Sequence, residues 1–117
     1  MPDAAVSYAV ELLGKLISIP TVNPPGSNYE NCARLLGGEL DRLGFEVQLV
    51  EIPESYLDEH YPYAPAHRGY PRFIVLGRLG SGRPILHFNG HYDVVPPGTG
   101  WARDPFTPAV VDGKVYG

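Results

Sequence analysis

The stretch Ser27–Ile52, SNYENCARLLGGELDRLGFEVQLVEI, decides the fold class, because its apolar period changes part-way along. Tyr29, Ala33, Leu36, Leu40 and Leu43 recur at three and four residues, which puts them on one face of a helix. Ser27 and Glu30 have capping-box spacing, which predicts the helix start, and Gly44 predicts its stop. From Phe45 to Ile52 the pattern becomes alternating, with Phe45, Val47 and Leu49 set against Glu46 and Gln48. That is the period of a strand with one wet face. A helix running straight into a strand predicts an α/β fold.

Upstream, Val6, Val10, Leu13, Leu16 and Ile17 predict a helix over Ala4–Ile19, with Asp3 as its cap and Pro20 as its end. Thr21–Gly26 then reads as a Pro-Pro-Gly turn. Downstream, Pro53–Pro71 holds four prolines, four tyrosines, His60 and His67, and reads as a long aromatic loop, a lid or contact surface. Arg72–Leu79 and Pro84–Phe88 predict two strands around Gly80-Ser81-Gly82. Asp112-Gly113 within Val110–Val115 is the signal of a two-residue hairpin. Two helices and about five strands are expected, with neither repeat nor linker.

Composition narrows the function. The chain of 117 residues is one domain's worth, and its 44% hydrophobic content is ordinary for a folded protein. Gly and Pro number 14 and 13, about twice the usual share, and they concentrate in loops. The charge is uneven: residues 1–59 carry three basic and ten acidic side chains, residues 60–117 six and three. No basic run exists, which argues against a nucleic-acid partner. No run of about 18 uncharged apolar residues occurs, which argues against a membrane partner. Met1-Pro2-Asp3 lacks the basic start of a secretory leader, so a cytoplasmic protein is expected. The single cysteine, Cys32, rules out an internal disulfide and a multi-thiolate zinc site, leaving His and carboxylates as metal donors.

The chemistry-bearing stretch is Pro84–Gly117, PILHFNGHYDVVPPGTGWARDPFTPAVVDGKVYG. On one extended strand His87 and His91 are about 13 Å apart, too far to share a metal. His91 and Asp93 are two residues apart and share a side, so the carboxylate is placed to support the imidazole. Asn89-Gly90 is also a hairpin-turn pair, and if Leu86–Phe88 folds back onto His91–Asp93, His91 is an ordinary strand residue. His60, His67 and His87 read as structural histidines. Asp104 and Asp112 read as turn formers, Trp101 and the tyrosines as packing groups, and Cys32 as a small buried apolar residue.

GHYDVVPPGTGW, followed by DPF and DGKVYG, resembles the first metal-site motif of the zinc-dependent aminoacylase and carboxypeptidase family. That family includes acetylornithine deacetylase, succinyl-diaminopimelate desuccinylase and glutamate carboxypeptidase. SIPTVNPPG after the first helix and LHFNGHYD also match the family's opening, so the likeness runs across nearly the whole chain. It favours His91 at the C-terminal end of a sheet strand over the hairpin.

The resemblance implies an N-terminal segment, residues 1–117, of one incomplete metallohydrolase catalytic domain, zinc exopeptidase-like, with a mixed sheet flanked by helices. His91 corresponds to a terminal metal ligand, and Asp93, the catalytic candidate, to the carboxylate that orients it. The implied cofactors are two zinc ions, with cobalt as a substitute. The implied substrates are N-acyl amino acids or short peptides, and the complete enzyme is expected to be a homodimer. In the family the remaining metal ligands and the general base follow beyond this motif. The 117-residue chain by itself is therefore expected to be inactive and to self-associate through uncovered strand edges. The alternative expectation is a non-catalytic remnant or binding module of the same fold.

Overall fold

The structure is a computed structural model in which residues 3–83 and 85–117 are described. It holds helices α1 (Ala4–Ile17), α2 (Tyr29–Arg42) and α3 (Glu54–His60), and strands β1 (Glu46–Glu51), β2 (Phe73–Arg78), β3 (Ala109–Val111) and β4 (Lys114–Tyr116). Two compact units result: the stretch up to Pro20 with Pro96–Gly117, and Thr21–Val95.

In the first unit α1 begins where Asp3 Oδ1 accepts a hydrogen bond from the Ala5 amide at 2.9 Å, as its sequence predicts. Lys15 and Glu11 pair at 2.9 Å on the solvent side. Pro108 approaches Gly14, and Gly117 lies close against Ile17, so the C-terminal hairpin and the turn before it share one flank of α1. The hairpin β3–β4 has Asp112 and Gly113 both at positive φ, 49° and 74°, the pair of conformations an Asp-Gly turn supplies. Asp104 is a turn former: its Oδ1 accepts from the Phe106 amide and its carbonyl from Thr107. Trp101 donates its indole N–H to Pro97 O at 2.8 Å.

In the second unit α2 packs on the antiparallel pair β1–β2, whose register runs from Glu46 opposite Arg78 to Glu51 opposite Phe73. Small residues let helix and sheet close up. A Cβ at Gly37 would sit 3.1 Å from Leu49 Cδ2, and one at Gly77 3.0 Å from Leu40 Cδ1. Tyr29, Cys32 and Ala33 of α2 form the buried apolar centre. Glu30 pairs with Arg34 at 2.7 Å on the outer face.

Three expectations are corrected. The capping box at Ser27 is absent, because Val22 O draws in the Gly26 and Ser27 amides and α2 starts from Asn28 in a left-handed conformation with no side-chain cap. The first half of the loop read over 53–71 is α3, started at Pro53, whose fixed φ suits a helix entry. Its second half is a run of tight turns closing over His67, which is buried. Residues 85–88 are not a strand: no described strand lies beside them, and Ile85, Leu86 and Phe88 are about four-fifths exposed. Pro84 lies outside the described residues.

The expected mixture of helices and strands is present, but among the described residues no mixed sheet is formed. Among the described residues the strands form two separate antiparallel pairs. The one parallel pairing among them is the isolated bridge Val22–Val94. It exists because a segment from before α2 and one from after β2 run side by side.

Candidate functional site

Thr21–Asn23 and Tyr92–Val94 form that bridge. The Asn23 amide donates to Val94 O at 2.8 Å and the Val94 amide to Thr21 O at 2.9 Å. The buried Thr21 hydroxyl adds a 2.6 Å bond to Tyr92 O. Alternation along this extended segment decides what faces where. Tyr92 turns inward, its hydroxyl donating to Phe73 O at 2.6 Å and its ring meeting Tyr29 edge-on at 5.5 Å. Burial pushes both phenols up to about 12, helped at Tyr29 by the nearby Asp93 carboxylate and opposed there by Arg72.

His91 and Asp93 flank Tyr92 and point the other way. His91 Nδ1 lies 2.8 Å from Asp93 Oδ1 and 3.2 Å from Asp93 O. A carboxylate only accepts, so Nδ1 carries the proton and donates, and Nε2 is left as the lone pair of the neutral ring. The ring is 84% exposed, whereas the Asp93 side chain is 37% exposed. Asp93 Oδ2 accepts from Asn23 Nδ2 at 3.3 Å, and Asn23 Oδ1 accepts from the Tyr61 hydroxyl at 2.6 Å. Below Tyr61 lies Arg72, its guanidinium carbon 4.6 Å from that ring's centroid and 5.3 Å from that of Tyr29. Arg72 donates to Tyr70 O at 2.7 Å, while its Nη2 is buried with no hydrogen-bond partner among the described residues.

The hairpin reading of Asn89-Gly90 is not realised, since no described strand pairs back onto His91–Asp93. Two of the other histidines have local roles. His60 bonds Tyr56 O and stacks on the Tyr56 ring at 4.2 Å, and His67 bonds Asp58 Oδ1 at 2.8 Å with its ring edge-on to Tyr61. The Cys32 thiol is buried, which raises its pKa and makes it inert. Asn23, Tyr61 and Arg72 were not singled out by sequence reasoning. The TVNPPG motif held the signal for Asn23, read there as a turn and as part of the family's opening, with no role given to Asn23 itself.

A cavity of about 210 Å³ at the start of α2, lined among others by Gly26, Tyr29 and Tyr70, does not include His91 or Asp93. Among the described residues no group of three His, Cys, Asp or Glu side chains is gathered for a metal. Nor is any described helix long and apolar enough to cross a membrane.

Beside this geometry, a histidine bonded to the carboxylate two residues on and held next to a parallel bridge, the chain is similar in sequence to curated proteins of the zinc-dependent aminoacylase and carboxypeptidase family. The curated relatives it matches are succinyl-diaminopimelate desuccinylases. The protein of that name from Gluconobacter oxydans is 37% identical over 108 residues, which cover 92% of this chain and 24% of the relative. That from Anaplasma marginale is 35% identical over 108 residues, with the same coverage. That from Delftia acidovorans is 34% identical over 117 aligned residues, covering 96% of this chain and 26% of the relative. The chain thus spans about a quarter of the length of these relatives. No family model matches it, and no solved structure matches it with significance.

Proposed function

We propose that the chain, residues 1–117, is part of the catalytic domain of a metal-dependent amidohydrolase that cleaves N-acyl amino acids, N-succinyl amino acids foremost. One observation carries this reading: His91 donates its Nδ1–H to Asp93 Oδ1 and leaves Nε2 bare on an exposed ring. Metal-ligating histidines have this arrangement, because the second ring nitrogen bonded to a carboxylate fixes the tautomer and makes the ring a better donor. The names of the relatives supply the substrate class.

The donor set fits zinc as a contributor of one ligand. His91 Nε2 would hold the ion, with cobalt as a substitute, and Asp93 would hold the ring. When bound, zinc supplies a Lewis acid for the scissile amide carbonyl. What this chain's residues do is narrower. His91 gives a lone pair in a fixed direction, Asp93 keeps the proton on Nδ1, and the Thr21–Asn23 segment holds the backbone on which both sit. A catalytic zinc takes three protein ligands, so the 117-residue chain alone is expected to hydrolyse nothing at a metal-dependent rate. The complete protein is expected to hold two zinc ions and to act as a homodimer.

The test uses the complete protein with an N-succinyl amino acid as substrate. Chelation is expected to abolish turnover and added zinc or cobalt to restore it. Chelator-insensitive turnover by the metal-free protein contradicts the reading.

A further inference from the structure

Through the Asn23 side chain the segment before α2 and the turn after α3 both reach the His91–Asp93 pair. The Asn23 amide orientation is determined by its neighbours. Asp93 Oδ2, 3.3 Å from Nδ2, has no proton to give, so the amide NH₂ faces the carboxylate and the carbonyl accepts from the Tyr61 hydroxyl at 2.6 Å. Asp93 thereby divides its oxygens, Oδ2 to Asn23 and Oδ1 to His91. Neither Asn23 side-chain bond is needed to hold its backbone, which the Val94 bridge already fixes. Tyr61 is held in turn by Arg72, which is nine-tenths buried and stacked beneath its ring.

The exposed His91 ring has little packing to orient it. A neutral imidazole in water prefers its proton on Nε2, the nitrogen a metal would need bare. An acceptor at Nδ1 reverses that preference; the Asp93 carbonyl lies at 3.2 Å and its Oδ1 closer, at 2.8 Å, and an aspartate is free to rotate unless its second oxygen is engaged.

We propose that Asn23 is a positioning residue for the His91–Asp93 pair: with Tyr61 gripping its carbonyl, it pins Asp93 Oδ2, so that Oδ1 accepts from His91 Nδ1 and Nε2 stays bare. The consequence for metal affinity rests on the reading of His91 as a metal ligand. The consequence for the tautomer does not.

The experiment therefore reads both. The complete protein, stripped of metal and labelled with ¹⁵N-histidine, is examined by long-range ¹H–¹⁵N NMR at about pH 8.5, above the usual histidine range. The His91 signals are assigned by their loss in His91→Ala, and zinc affinity is measured by titration with a chromophoric competitor. In the wild type the Nδ1–H tautomer is expected to dominate. Asn23→Ala is expected to move His91 mainly to Nε2–H and to weaken zinc binding about 10-fold or more, as loss of such supporting bonds does. Tyr61→Phe keeps the ring on Arg72 and so protects the fold, and it is expected to shift both readouts the same way by less. Wild-type tautomer and affinity in both variants, or a wild type with Nε2–H dominant, overturn the proposal. If His91→Ala binds zinc as tightly as the wild type, it is the metal-ligand reading that fails, and the tautomer alone then decides the role of Asn23.

Discussion

Tyr92 and Tyr29 meet edge to face, their ring centroids 5.5 Å apart and their planes at 85°, directly behind the backbone that carries His91 and Asp93. Both phenols are pushed up to about 12 by burial first. A raised phenol pKa means that the folded state favours the protonated, neutral form. The stability this contributes is complete below the unfolded value of about 10 and is lost as pH climbs through 10 towards 12. Unfolding in alkali is therefore expected over that window, with two tyrosines ionising late. Phenolate absorbance followed beside circular dichroism checks it. Ionisation of all eight tyrosines near pH 10 with the fold intact contradicts it.

Tyr92→Phe keeps the ring contact and removes the bond to Phe73 O. A single hydrogen bond lost with its acceptor left half-buried is expected to cost about 1 kcal/mol. Urea unfolding of Tyr92→Phe against the wild type measures it.

Gly26 has φ +102°, and a Cβ there would lie 2.6 Å from Arg72 Cζ. Gly26→Ala is expected to destabilise by about 1–3 kcal/mol, partly through the strained backbone and partly by pushing the guanidinium off Tyr29 and Tyr61. Arg72→Lys is not expected to substitute, since an ammonium lacks the planar face that lies against both rings. Its melting temperature should fall with that of Gly26→Ala.

The long periods of this chain were readable and its short or distant features were not. In α1, α2, β1 and β2 the apolar pattern completes itself within the segment, and Asp3, Gly44 and Asp112-Gly113 punctuate it by local chemistry alone. In contrast, α3 is seven residues, less than two full turns, and its tyrosines looked like loop aromatics. Residues 85–88 are a short, mostly apolar run of the kind strands carry, yet such a run becomes a strand only when another strand is there to accept its hydrogen bonds. The His91–Asp93 pairing was legible because both ends lie within three residues. Asn23 reaches Asp93 across 70 positions and Tyr61 reaches Asn23 across 38, a separation that no local pattern encodes.

Ile85, Leu86, Phe88 and Val95 are at least three-quarters exposed, and among the described residues β1–β2 is a two-stranded sheet with both outer edges unpaired. The 117-residue chain on its own is expected to self-associate at micromolar concentration. Ile85→Lys with Phe88→Lys should reduce that association with little change in unfolding free energy, because neither residue is buried. Sedimentation velocity distinguishes this from a chain that is monomeric throughout.

In the proposed function His91 Nε2 holds a metal ion while Asp93 holds His91. The most direct measurement is the zinc content per chain of the complete protein, by mass spectrometry, in the wild type and in His91→Ala, Asp93→Asn and His87→Ala. His91→Ala is expected to lose at least one ion along with turnover, Asp93→Asn to weaken zinc affinity about 10- to 100-fold, and His87→Ala to match the wild type. Full zinc content in His91→Ala, or its loss in His87→Ala alone, would contradict the account.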